Sequence, residues 1–227
     1  MNTQRGKNFA ATPTMEDVKV LLNSALSSDW RQALVAAGLG WHVDVGTFST
    51  PIVGGGNGTV LDADQPEFVI DIPTGYTLIP LRFDVACQPP LGATDSDEIE
   101  ICILADVSAV SGATATQGTV EAPRNMRTNV TAGCPCPVVS AVTTNTTAVP
   151  TAAALYELKH TVKVFETKTD VAVIWTDLFT VYEPAISPFL VGPASVWGYW
   201  GGTVATTGFA NLDFAVIQST LIANLTR

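Results

Sequence analysis

Charge is scarce in this chain. Asp, Glu, Lys and Arg make up 14% of its 227 residues, against about 25% in an average soluble domain. Basic charge is scarcest, with 11 Lys and Arg against 21 Asp and Glu, a net charge of −10. A phosphate-binding surface needs a basic footprint, so no nucleic-acid partner is expected, and Arg5 and Lys7 read as charge on a solvated arm. Long hydrophobic runs are missing as well. The residues are 47% hydrophobic and mean hydropathy is +0.29. Yet no 18-residue stretch escapes charges, Pro/Gly clusters or polar runs, so neither a membrane-spanning helix nor a membrane partner is predicted. MNTQRGKNFAATPT at the start carries no apolar segment, and no secretory leader is expected there.

Chemistry-bearing residues are few. His42 and His160 are the only histidines, which leaves little from which to build a nucleophile–base pair. Both read as surface or satisfied-core side chains. GxSxG, HExxH, phosphate-loop and dinucleotide fingerprints are absent, so no catalytic residue and no cofactor is assigned. The four cysteines are Cys87, Cys102, Cys134 and Cys136. Cys134-Pro-Cys136 is tighter than the Cys-x₂₋₄-Cys spacing of zinc sites and reads as a structural loop with buried thiols, or one thiol paired to a distant partner. Carboxylates gather at Asp95, Asp97, Glu98 and Glu100, and at Asp62 and Asp64. Without the glycine and distal glutamate of a calcium loop they read as solvated loop charge, with a weak Ca²⁺ site at Asp95/Asp97 as the alternative.

What the chain does have is Val and Thr in short runs, broken by Gly, Pro and Asn. Residues 1–14 read as a polar arm. Apolar residues at helical spacing then cover 15–38, in one broken helix or two short ones, with Gly38 as the C-cap. Beyond Trp41 the period changes to two. Residues 68–72 form a strand. Ile79, Leu81, Phe83, Val85 and Cys87 alternate with polar or small residues, giving one buried face, and Pro80 among them marks an edge strand or a bulge. Ile99, Ile101 and Ile103 make the next strand. Residues 160–181 read as a hairpin, and Val196–Trp200 and Leu212–Ile217 as the last strands. In the aromatic segment Trp197-Gly-Tyr-Trp-Gly-Gly, alternation sets Trp197 and Tyr199 on one face and Trp200 on the other, as core and interface anchors. Seven or eight strands without alternating helices predict a mainly β protein, an antiparallel β-sandwich with an N-terminal arm and short helical segment. A jelly roll is the leading topology. The expected division is 1–45 for arm and helix and 46–227 for the sandwich.

Three stretches carry a resemblance: Ile72-Pro-Thr-Gly-Tyr-Thr-Leu-Ile-Pro-Leu-Arg82; Asn125-Met-Arg-Thr128; and Val191-Gly-Pro-Ala-Ser195, leading to Tyr199-Trp-Gly-Gly-Thr-Val-Ala-Thr-Thr-Gly-Phe209. They resemble segments of virion-associated β-sandwich proteins of tailed bacteriophages. The resemblance implies a capsid structural or decoration protein with a jelly-roll body, a homotrimer among other capsid proteins, and it brings no catalytic residues. The low charge agrees, because interface cores are depleted in charge. The expected role is therefore a non-enzymatic virion protein that assembles in a host cytoplasm. Its interface would use Val18, Leu21, Leu22, Trp30, Trp197, Tyr199 and Trp200. Two other roles remain open: a carbohydrate- or receptor-binding module that stacks sugar on the 197–200 aromatics, and a self-assembling shell protein.

Overall fold

The computed structural model describes residues 30–54, 61–62, 64–88, 98–106, 118–143, 155–164, 178–203 and 206–223. Two antiparallel sheets form a sandwich. The first sheet has seven strands. Its main path runs β10 (Leu178–Tyr182), β4 (Tyr76–Gln88), β13 (Thr207–Gln218), β1 (Gly40–Val45) and β7 (Arg124–Asn125). Short β11 (Leu190–Val191) pairs with β4, and β2 (Ile52–Val53) with β13. The second sheet has six strands in the order β6 (Thr119–Glu121), β8 (Val138–Ser140), β3 (Phe68–Ile72), β12 (Ala194–Gly202), β5 (Glu98–Asp106) and β9 (Leu155–Val164). The core between them draws Trp41, Phe83, Val85, Leu212 and Phe214 from the first sheet, and Phe68, Ile70, Ile99, Ile101, Ile103 and Trp200 from the second.

The pairings are nested. Among the eight principal strands the first (β1) pairs with the last (β13), the second (β3) with the seventh (β12), the third (β4) with the sixth (β10), and the fourth (β5) with the fifth (β9). The turn and most of the second arm of the hairpin expected over 160–181 lie outside the described residues. β9 lies on β5 in one sheet and β10 on β4 in the other. Their edges meet across the sandwich through the Thr161 and Thr180 hydroxyls, 2.7 Å apart.

Pro80 sits in a bulge rather than at an edge. β4 is flanked on both sides, and its register with β13 shifts so that Asp213 faces Arg82 while Phe214 faces Pro80, leaving Leu81 over. The extra residue changes which side faces the core. Leu78 before it and Phe83, Val85 and Cys87 after it join the inter-sheet core. Ile79 and Leu81, expected on that same face, point the other way, into a separate cluster with Ala215 and Ile217. The Pro80 carbonyl accepts a 2.6 Å hydrogen bond from the buried Ser187 hydroxyl.

The helix Trp30–Ala36 covers this second cluster with Leu34, Ala37 and Leu39. Its C-terminus closes as the sequence suggests. Gly38 takes φ +77°, its N–H donates to the Val35 carbonyl at 2.9 Å, and the Leu39 N–H donates to Leu34 at 3.0 Å. This is the doubled bond pattern of a Schellman cap, with Leu34 and Leu39 as its apolar pair. Because Gly40–Val45 is already a strand inside the first sheet, the sandwich starts before residue 46, and residues 30–39 are part of its packing. The earlier helical turns expected from residue 15 lie outside the described residues, and the C-terminal segment ends in a short helix, Ser219–Ala223.

Gly198 is needed for close approach. It faces Phe68 across the β12–β3 pair, and a Cβ there would lie 1.9 Å from the Phe68 ring. Gly198→Ala is expected to destabilise the protein by about 1–3 kcal/mol through overpacking. Phe68→Leu in the same chain should recover part of that loss, as read by urea denaturation of the single and double variants.

Candidate functional site

The outer face of the seven-stranded sheet has two halves. One is apolar and lies under the helix just described. The other carries a row of charge across four strands: Arg124 on β7 faces His42 on β1, His42 faces Asp213 on β13, and Asp213 faces Arg82 on β4. Asp44 and Asp84 stand one pleat further along β1 and β4, since alternate residues share a face. The Arg82 Nε–H donates to both Asp84 oxygens at 2.9 Å.

His42 is the centre of this row. Its Nδ1 lies 2.7 Å from Asp213 Oδ1 and its Nε2 lies 3.1 Å from Asp44 Oδ1. Ionised carboxylates only accept, and a neutral imidazole has one donor, so only the doubly protonated ring satisfies both contacts. Partial burial disfavours the charged ring, but the Asp213 hydrogen bond and charge, with those of Asp44, outweigh it and raise the His42 pKa. His160, on the other sheet, has its Nε2 2.7 Å from Glu100 Oε2. Both histidines are thus satisfied side chains at cross-strand positions.

A cleft of about 350 Å³ opens beside this row, lined by His42 and Asp44 from β1, Thr47 and Thr50 from the turn after it, and Glu121 and Arg124 from β6 and β7. The turn is closed by the Thr47 N–H to the Thr50 carbonyl and the Thr50 N–H to the Thr47 carbonyl, both 3.1 Å. Its two threonine hydroxyls lie 2.7 Å apart. Phe48 within the turn is 63% exposed. The Ser140 hydroxyl donates to Glu121. Two further clefts, of about 480 and 360 Å³, lie beside Glu67 and beside Trp41 and Tyr76. The Glu67 carboxylate is buried and accepts the Trp200 N–H at 2.8 Å.

Comparison with known proteins adds no relative. No family model, curated protein or solved structure matches the chain.

The residues expected at an interface are placed differently from the expectation. Trp197 and Trp200 are 0% exposed and Tyr199 is buried with them. As alternation predicted, Trp197 and Tyr199 share one face and Trp200 the other. Trp200 fills the inter-sheet core, while Trp197 and Tyr199 pack with Val69, Cys102 and Val139 on the opposite side of the six-stranded sheet. Packed inside their own chain, these side chains offer no stacking surface to a sugar and no anchor to a partner. Trp30 is half-buried against the helix-covered cluster. Val18, Leu21 and Leu22 lie outside the described residues, as do Asp95 and Asp97.

No disulfide joins any of the four cysteines. Desolvation, with the Glu157 and Glu100 charges, pushes Cys102 up to about 12; desolvation pushes Cys134 up to about 12 and Cys136 higher still. At each of the three, burial favours the protonated thiol. Asp62 accepts the Asp64 N–H at 2.9 Å in a local turn. Among the described residues no group of three or more His, Cys, Asp or Glu is placed to hold a metal ion. Of the cleft residues, the sequence singled out only His42. His42 and Asp44 at i and i+2 were the available signal, whereas Asp213, Glu121 and Arg124 arrive through strand pairing far along the chain.

Because its folded pKa is raised, the charged His42 contributes stability that is fully present below its ordinary value of 6.5 and is lost as pH rises through the folded value. The melting-temperature gap between the native chain and His42→Gln should therefore be widest near pH 6 and close towards pH 9. A gap independent of pH would refute the charged bridge.

Proposed function

We propose that the chain is a non-enzymatic structural protein of a virus particle, a trimeric decoration or cement protein of a bacteriophage head. The observation that carries this reading is the nested strand order, first with last through fourth with fifth. That order is what results when one long antiparallel ribbon is rolled into a sandwich, and on this basis we assign a jelly roll, an architecture common in viral capsid proteins. A fold alone does not settle a function, and two further features support the choice. One is the resemblance of the three stretches between residues 72 and 209 to phage virion proteins. The other is a surface that water does not favour.

That surface lies along the β10–β11 edge of the seven-stranded sheet. Ile186 is 90% exposed, Phe189 53% and Val191 52%, three large apolar side chains within six residues. Pro184 and Pro188 punctuate the segment, and the Ser187–Pro80 bond fixes it to β4. Arg31 and Arg82 both pair with Glu183 beside it, which balances charge there among the described residues. Exposed apolar patches of this kind mark interaction sites. The proposed trimer contact is accordingly Ile186, Phe189 and Val191 rather than the buried aromatics of β12.

Light scattering on the purified chain tests this reading. The expected native mass is near three times 23.9 kDa, unchanged by EDTA, and falls to one chain when Ile186 and Phe189 are both replaced by Asp. A monomeric native chain would overturn the trimer. Closed particles in electron micrographs of the same sample would assign a shell protein instead of a decoration protein.

A further inference from the structure

We infer that the trimer contact is completed by residues 15–29 of the neighbouring copy, whose apolar stripe lies along the exposed segment Ile186–Val191. The inference rests on the trimer reading above and names the second half of that contact. A closed three-fold ring is built from heterologous contacts, in which two different surfaces meet. The 186–191 segment supplies one of them, with Ile186, Phe189 and Val191 exposed. The Ser187 hydroxyl holds this segment to the Pro80 carbonyl, and Leu190 is buried in the inter-sheet core. The exposed side chains therefore stand on a fixed base.

Residues 15–29 supply the other surface. They lie outside the described residues, and two observations direct them to this place. The first is where they join the fold. Trp30 opens the helix, and beside it Arg31 donates to the Glu183 carboxylate and, at 2.7 Å, to the Pro184 carbonyl. Pro184 stands two residues before Ile186, so the N-terminal segment leaves the sandwich next to the apolar patch. In a ring closed through that patch, the point of exit is at the contact between copies. The second observation is spacing. Val18, Leu21, Leu22 and Ala25 fall at i, i+3, i+4 and i+7, the anchor pattern of a helix laid onto an apolar surface. Glu16, Lys19 and Asn23 fall on the opposite side of that helix. The anchors span about 11 Å at 1.5 Å per residue, and the chain from Ile186 to Val191 covers at most about 18 Å, so the stripe fits along it. Ser27-Ser28-Asp29 lets Leu26 stand at most about 14 Å from Trp30, which keeps the stripe at the contact. Folded back on its own copy, the same stripe would fill the patch and leave the ring without its apolar surface. A short hinge favours exchange between copies over that return.

The test is light scattering and cysteine cross-linking on the full chain. Leu21→Asp with Leu22→Asp should lower the native mass from three copies to one, whereas Asn23→Asp, on the polar side of the stripe, should leave it at three. Leu22→Cys and Ile186→Cys chains, co-expressed and mildly oxidised, should give a disulfide-linked pair of chains on non-reducing gels. Neither variant alone, nor the native chain, should do so. A chain carrying both substitutions should link into a covalent trimer, and this readout decides the matter even where the acidic variant fails to fold. A native trimer that persists in the Leu21→Asp, Leu22→Asp chain, a cross-link confined within one chain, or no cross-link at all would overturn the inference and leave the trimer reading standing. A monomeric native chain would overturn the trimer reading and the inference with it.

Discussion

One extra residue in β4 organises the seven-stranded sheet. With Leu81 unpaired between Pro80 and Arg82, the side chains before and after the bulge exchange faces. On the outer side this puts Ile79 and Leu81 together with Ala215 and Ile217, a patch that has to be covered. Burying a Leu or Ile side chain is worth about 1.5–3 kcal/mol, and the helix Trp30–Ala36 with Leu39 supplies that cover. Past the bulge the same outer face carries Arg82, Asp84, Asp213 and His42, which stay near solvent. A straight β4 would have continued one phase along its whole length, setting Ile79 and Leu81 against the other sheet and Leu78 outside. Proline tolerates this position because a bulge interrupts the ladder, so the missing N–H leaves no paired acceptor behind.

The few charges are used where strands meet. His42 faces Asp213 in register and bonds to it, and His160 contacts Glu100 across the β5–β9 pair. An opposite-charge pair at directly opposed positions, such as His42 and Asp213, contributes roughly 0.2–1 kcal/mol, small against the core. Its effect is on register, because a one-residue slip would bring the imidazole to the core face and an apolar side chain to the charged one. On the outer side of the six-stranded sheet Val69, Cys102, Val139, Trp197 and Tyr199 form a further apolar cluster, and the Glu100–His160 contact lies on the same side.

Much of this was legible from the residues. Period-two alternation located β4, β5, β12 and β13, and it placed Trp197 and Tyr199 opposite Trp200. Gly38 was identifiable as a cap because only φ above zero lets the chain leave the helix there, and Pro80 signalled a bulge or an edge. The misreadings share a cause, which is that alternation reports on one strand at a time. It could not register that Leu81 breaks the phase, so Ile79 and Leu81 were assigned to the wrong face. It could not show that β9 and β10 lie in different sheets. Nor could it tell a buried outer face from an exposed one, so the 197–200 aromatics looked available when their own chain covers them. The cleft was the least visible feature. Its parts lie at 42–50 and 121–124, and Asp213, which orients His42, comes 171 residues after it.

The exposed apolar segment and the polar cleft sit at opposite ends of one sheet. The apolar segment 186–191 follows the β10–β11 edge, and the polar cleft lies by β1 and β7, with β4 and β13 between them. A strand edge with open backbone groups invites pairing unless it is covered or broken, and prolines break the first edge without removing its apolar side chains. A copy of the chain bound there would bury Ile186 and Phe189 by side-chain packing, not by extending the sheet. A closed trimer of the kind proposed would repeat that heterologous contact around an axis. The β4–β13 pair lies between that edge and the β1–β7 end.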